Sequence, residues 1–130
     1  MDTIKAIIAA VCAFASYIFG GWDGLMIALV IFIIADYISG VIAAAVEKKL
    51  SSEVGAKGIA KKIFMLLIVA VANIIDINVI GEGHTLKTVT MIFYICNECI
   101  SLLENAGRIG VPVPKKLLDV LSQLKANNDK

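Results

Sequence analysis

Two carboxylates stand where so apolar a chain has little room for charge. Asp36 falls midway along LMIALVIFIIADYISGVIAAAV (25–46), and Glu98 falls just past the middle of LKTVTMIFYICNECISLL (86–103). Asn73 and Asp76 lie in IFMLLIVAVANIIDINVI (63–80), and Asn97 adjoins Glu98. Laid side by side, these residues fall at similar depth. Embedded carboxylates can bind a cation, hold a helix seam or wall an aqueous path. A charge at bilayer centre costs about 2.5–3.5 kcal/mol on insertion scales. No lysine or arginine falls at that depth in the sequence. The carboxylates are therefore expected to be protonated, bonded to the amides, or in contact with water.

Spacing narrows the choice. Lys87, Thr90, Tyr94, Asn97, Glu98, Ser101, Glu104 and Asn105 recur at steps of three or four, a continuous polar stripe on one helix. Val89, Ile92, Phe93, Ile100 and Leu103 occupy the other side. Asp36, Ser39, Gly40, Ala43 and Glu47 form a matching stripe, in which Gly40-xxx-Ala44 is a small-xxx-small spacing that lets backbones approach. The stripe is a helix–helix seam, the wall of an aqueous path, or one device that serves as both in two states of assembly. Asp36, Asn73, Asp76, Tyr94, Asn97, Glu98, Ser101 and Glu104 are its pore-lining or seam candidates.

Other reactive residues carry less. Cys96-x-x-Cys99 would need two further ligands to hold a metal, and Cys12 and His84 lie in other segments. A redox pair would open a helix at a strand end, whereas this one lies mid-helix. The three cysteines read as buried small hydrophobes, and His84 as a solvated turn residue. No P-loop, GxSxG or HExxH is present, so neither an enzyme nor a bound cofactor or metal is expected.

The elements that position these residues follow from composition. Of the 130 residues, 59% are hydrophobic and 18% charged, with mean hydropathy +0.89. A soluble domain has about half and about a quarter. The fold class is an all-α membrane protein with three to four transmembrane helices and a short amphipathic C-terminal helix. Four segments approach the 17 to 25 apolar residues that span about 30 Å: 4–20, 25–46, 63–80 and 86–103. Segment 4–20 is the one whose crossing is open. They make up a transmembrane domain over 1–104, followed by a tail over 105–130.

Lysine and arginine set orientation. The 47–62 linker holds Lys48, Lys49, Lys57, Lys61 and Lys62, and the tail holds Arg108, Lys115, Lys116, Lys125 and Lys130. The turns GGWDG (20–24) and GEGHT (81–85) hold none. Linker and tail are thus expected in the cytoplasm. The linker should form a short surface helix, with Lys48, Lys49, Lys57, Lys61, Lys62, Lys115 and Lys116 near anionic headgroups. Pro114 suits the first turn of a helix over 114–125, where Leu117, Leu118, Leu121 and Leu124 repeat at helical spacing for the membrane surface or a partner helix. A net charge of +1 suggests no affinity for nucleic acid.

Three elements carry a resemblance: Asp36-Tyr37-Ile-Ser-Gly40, Gly55-Ala-Lys-Gly58-Ile-Ala-Lys61-Lys62, and Asn97-Glu98-Cys-Ile-Ser101-Leu-Leu-Glu104-Asn105 followed by Gly110-Val-Pro112-Val-Pro114. Over roughly 22–121 the chain resembles phage holins, a family that includes pneumococcal phage lysis holins and holin-like proteins of clostridial toxin secretion. The resemblance implies a small protein of the bacterial cytoplasmic membrane that oligomerises with itself and opens lesions for an endolysin or a toxin. Two other classes compete: a small four-helix exporter using an embedded carboxylate, and a non-conducting adaptor whose tail recruits a partner.

Overall fold

The structure is a computed structural model that describes residues 2–81, 83 and 85–129, with side chains through residue 126. The described residues form α1 (Asp2–Phe19), α2 (Gly24–Val46), α3 (Ser52–Ile75) prolonged by a π-helical turn (Asp76–Ile80), α4 (Thr85–Ile109) and α5 (Lys115–Asp129). The first four, counting the π turn with α3, are long and apolar enough to cross a membrane. A helix satisfies its own backbone, the condition for lying in lipid. The polar turn residue His84 lies outside the described residues.

Local signals place the ends. Gly20 and Gly21 take positive φ of 77° and 99° after α1. Asp23 caps α2 by accepting from Met26 N at 2.9 Å. Gly110, at φ 106°, closes α4, and Val111 N donates back to Ala106 O at 2.9 Å.

Three boundaries differ from the sequence reading. The 47–62 linker is no surface helix: residues from Ser52 onward are the first turns of α3, continuous with the span. Only 47–51 remain as connection, because no residue in 52–62 breaks the helix. The fourth span runs on through Glu104 to Ile109, and the tail helix reaches Asp129. The partner of the tail helix is α4 of the same chain, against which α5 folds back until Lys125 Nζ lies 5.6 Å from the Phe93 ring centroid.

Each packed helix buries one stripe. On α2 it is Met26, Leu29, Ile33, Asp36 and Ala43, spaced by three, four and seven. On α4 Lys87, Met91, Glu98 and Asn105 form it, spaced by four and seven, and Cys96 is buried outside it. Such a 3.5-residue period wraps helices left-handedly. Asp36 meets Asn105 and Glu47 meets Arg108, so α2 and α4 run parallel in direct contact, and α3 returns antiparallel to them, packed mainly on α4. Met26, Leu29, Ile33, Val69 and Met91 form the apolar core. It lies toward the ends of the helices nearer the α1–α2 turn, between a polar group of Asn73, Asp76 and Lys87 and a second one of Asp36, Glu98 and Asn105.

The outward faces stay apolar, as with Ile31, Ile34, Ile38 and Ile42 on α2. Helix α1 buries no side chain and touches α3. Cys12 on α1 is therefore exposed, contrary to the buried reading, whereas Cys96 is buried and Cys99 half-buried.

Candidate functional site

The two carboxylates that opened the question are joined by a cation. Lys62 Nζ lies 2.7 Å from Asp36 Oδ2 and 2.7 Å from Glu98 Oε2, linking α2, α3 and α4 at one level. Lys62 is ten residues into α3, Asp36 ten from the end of α2, and Glu98 eleven from the end of α4. At 1.5 Å per residue each is about 15 Å from the helix ends that meet the 47–51 connection and Gly110. The expectation that no lysine reaches this depth is thus overturned. Lys62 was assigned to the membrane surface because it closes a basic run. Once α3 starts at Ser52, that run lies on the helix and Lys62 faces inward.

The side chains of Lys62, Asp36 and Glu98 are 15%, 9% and 7% exposed. Two carboxylates against one ammonium leave an excess of one formal negative charge. Hydrogen bonds from α4 serve the same cluster. Asn105 Nδ2 donates to Asp36 Oδ1 at 3.0 Å, to Asp36 O at 3.2 Å and to Ser39 Oγ at 2.9 Å. Gly40 lies beside this amide, and a Cβ there would sit 3.5 Å from Asn105 Nδ2, an ordinary contact, so the amide does not itself require glycine at this position. Ala43 is fully buried one turn on, whereas Ala44, the expected packing partner of Gly40, is half-buried at the edge of a cleft. Below the triad Arg108 donates to Glu47 and to Asn105 Oδ1 at 3.1 Å. The guanidinium beside Glu47 holds its carboxyl below the ordinary glutamate range.

Helices α2 and α3 touch through glycines. Tyr37 Oη donates to Gly55 O at 3.4 Å, and its ring edge would lie 3.7 Å from a Cβ at Gly58. Gly55 and Gly58 present bare backbone to that ring.

Asn73 and Asp76 belong to a second cluster at the opposite ends of the helices, beside the end of α1 and the start of α4. Asn73 Nδ2 donates to Tyr17 O at 3.1 Å and Ile18 O at 2.9 Å, the last-turn carbonyls of α1. Both Asp76 carboxylate oxygens accept from α4's first turn, from Leu86 N at 3.1 Å and Lys87 N at 2.9 Å. One amide thus caps a helix C-terminus and one carboxylate an N-terminus, as backbone groups and dipoles require. Lys87 is 2% exposed, and Asn73 Oδ1 has no hydrogen-bond partner among the described residues.

Of the sequence candidates, then, Asp36 and Glu98 come together, with Ser101 on the adjoining cleft wall. Tyr94 packs against the apolar core and edge-on to Phe93. Asn97 is half-buried and Glu104 exposed, so the polar stripe is wider than the face that is buried. Lys62, expected only at the membrane surface, Lys87, seen only as part of the stripe, and Arg108 were not among the pore-lining or seam candidates. A signal for Lys62 existed: 62, 65, 69, 73 and 76 share one helical face, and Val69, Asn73 and Asp76 are buried on it.

What such a site can do follows from its chemistry. Among the described residues it brings together charged and amide side chains that pair across the helices. The comparisons with known proteins agree with that character. A 114-residue stretch matches a probable holin of Bacillus phage phi105 at 39% identity, covering 88% of this chain and 83% of the relative. An uncharacterised 14.9 kDa protein of Clostridium perfringens is 41% identical over 130 residues, covering 100% of this chain and 97% of the relative. An uncharacterised protein of Listeria monocytogenes is 46% identical over 109 residues, covering 84% and 77%. No solved structure matches. The model of the bacteriophage holin family matches residues 13–126, and this multi-pass chain, with its polar seam, belongs to that family.

Proposed function

We propose that the protein homo-oligomerises in the bacterial cytoplasmic membrane, its C-terminus cytoplasmic, and opens lesions that pass an endolysin or a toxin to the wall side. It acts by breaching the bilayer and needs no catalytic step. The observation that carries this reading is the Asp36–Lys62–Glu98 triad sealed between α2, α3 and α4. Lipid tails give helices no hydrophobic reason to associate, so polar seams and close packing hold them together. A buried ion triad repays its desolvation poorly, because each charge gives up water. The seam is therefore closed at modest advantage. When copies meet through their apolar outer faces and the helices part, the same residues can line water. The printed name of the phage phi105 relative, probable holin, supports this reading.

The test is induced expression in a bacterium that also carries a cytoplasmic peptidoglycan hydrolase, following membrane potential and enzyme release. Abrupt depolarisation with release of the enzyme is expected. Glu98→Leu should greatly delay it while membrane insertion persists. Drug resistance without lysis would instead mark an exporter, and neither phenotype an adaptor.

A further inference from the structure

Helix α5 packs on α4 and, among the described residues, on no other element. It lies on the side of α4 away from the seam. Cys96, two residues from Glu98, stands about 200° around the helix from it. Cys96 is nonetheless 3% exposed. Phe93, three residues earlier on the same side, carries Lys125 Nζ at 5.6 Å from its ring centroid. Helix α5 is therefore what covers Cys96. The covered side bears Phe93, Cys96 and Ile100 at steps of three and four, and none of them is charged.

This place conflicts with the polarity of α5. Phe93 is sixteen residues from Ile109, so about 24 Å from that end of α4 and farther along than Glu98. Leu118, Leu121 and Lys125 are half-buried toward α4, whereas Asp119, Ser122 and Gln123 on another side are exposed. Where α4 crosses a bilayer, these exposed groups would stand at the level of the hydrocarbon. An ionised side chain is costly there, and a hydroxyl or amide finds no water. Helix α4 also covers only part of the apolar face of α5, since Leu117, Val120 and Leu124 stay 44%, 44% and 48% exposed. A membrane surface covers that whole face at once and leaves Asp119, Ser122 and Gln123 in water. Gly110, at φ 106°, and the 111–114 connection provide the place to swing.

We infer that α5 is a removable cover. In the bilayer it lies on the inner surface, and the α4 face that it leaves, around Cys96, is where a second copy of the chain packs. The inference rests on the proposed topology and self-association, and names the surface through which copies meet. That face accepts a helix, since α5 packs on it closely enough to bury Cys96. A second α4 suits it better than α5 does. Its own Phe93, Cys96 and Ile100 are uncharged and lie at the same depth, as a two-fold contact about the membrane normal requires.

Two measurements in phosphatidylcholine–phosphatidylglycerol vesicles test this. In Cys12→Ala/Cys99→Ala, which keeps Cys96 alone, copper phenanthroline should join Cys96 to Cys96 of a second copy. A nitroxide on Ser122→Cys, in a chain without the native cysteines, should be shallow and open to a water-soluble nickel chelate. Leu117→Gln/Leu124→Gln weakens the hold of α5 on the membrane and spares its contact with α4, so it should lower the Cys96 dimer yield several-fold. A shallow label without the Cys96 bond overturns the proposal, because lipid then covers the face. A Cys96 that stays shielded from oxidant and maleimide overturns it too, because α5 then stays docked. A dimer yield unchanged by the paired leucine substitution has the same consequence. Depolarisation on induction without the Cys96 bond sinks this inference alone, whereas the bond without depolarisation sinks the lesion reading and leaves the contact standing.

Discussion

Replacing Lys62 by methionine removes one ammonium and little volume. In the native seam that ammonium is 2.7 Å from each of two carboxylates that are nine-tenths buried. Without it, two like charges face each other no farther apart than about twice that distance. Removing one partner of a buried ion pair costs about 3–5 kcal/mol, because the remaining charge is dry and unpaired. Lys62→Met should therefore lose about that much stability, read as the shift in dodecyl sulfate midpoint on unfolding from mixed micelles. The same reasoning fixes the sign of a rescue. Neutralising all three groups as Asp36→Asn/Lys62→Met/Glu98→Gln should return stability to within about 1 kcal/mol of wild type, since well-packed replacements of buried ion groups are often neutral. If Lys62→Met alone stays within about 0.5 kcal/mol of wild type, in the range of ordinary surface substitutions, the triad is not what holds the inner seam.

Further consequences concern the seam and its two ends. Asn105→Ala removes three hydrogen bonds between α4 and α2 and should cost about 2 kcal/mol at roughly 0.6 each, measurable by the same unfolding titration. Gly20→Ala puts a Cβ 2.6 Å from Asn73 Oδ1 at a φ of 77°. It should free the end of α1 from α3, read as faster amide hydrogen exchange over the last turn of α1, while exchange along the seam of α2 with α4 is unchanged. The Glu47 carboxyl, lowered by Arg108, contributes stability that is complete above the ordinary glutamate range and lost as the pH falls through its depressed value. Thermal melts of wild type and Glu47→Gln should accordingly differ at pH 7 and converge under strongly acidic conditions. A difference that widens on acidification would contradict that assignment.

The spans were legible because their signal is long and one-sided: apolar runs of membrane length closed by glycine turns. The start of α3 was not. Residues 52–62 are polar enough to read as a connection, yet nothing in them stops a helix, and the apolar span gives them one to join. That single misplacement hid Lys62, since a lysine in a linker belongs at the surface and a lysine on a buried helical face belongs in a pair. Asp36 and Glu98 were found from type and depth alone. Their partner needed the register of a third helix, and no local pattern fixes how helices pair. Asn73 and Asp76 were seen as buried polar residues. Their use as caps for α1 and α4 depends on where two other helices end, which only the assembled fold determines.

The central claim is that the seam between α2 and α4 is closed at rest and must part for the membrane to be breached. Asn105 Nδ2 and Ser39 Oγ are 2.9 Å apart across it, so a Ser39→Cys/Asn105→Cys chain lacking Cys12, Cys96 and Cys99 can be locked by oxidation. Membrane depolarisation after induction should be blocked in the oxidised form and return when a permeant thiol reduces the bond. Depolarisation on the same schedule with the lock shown intact would contradict the account.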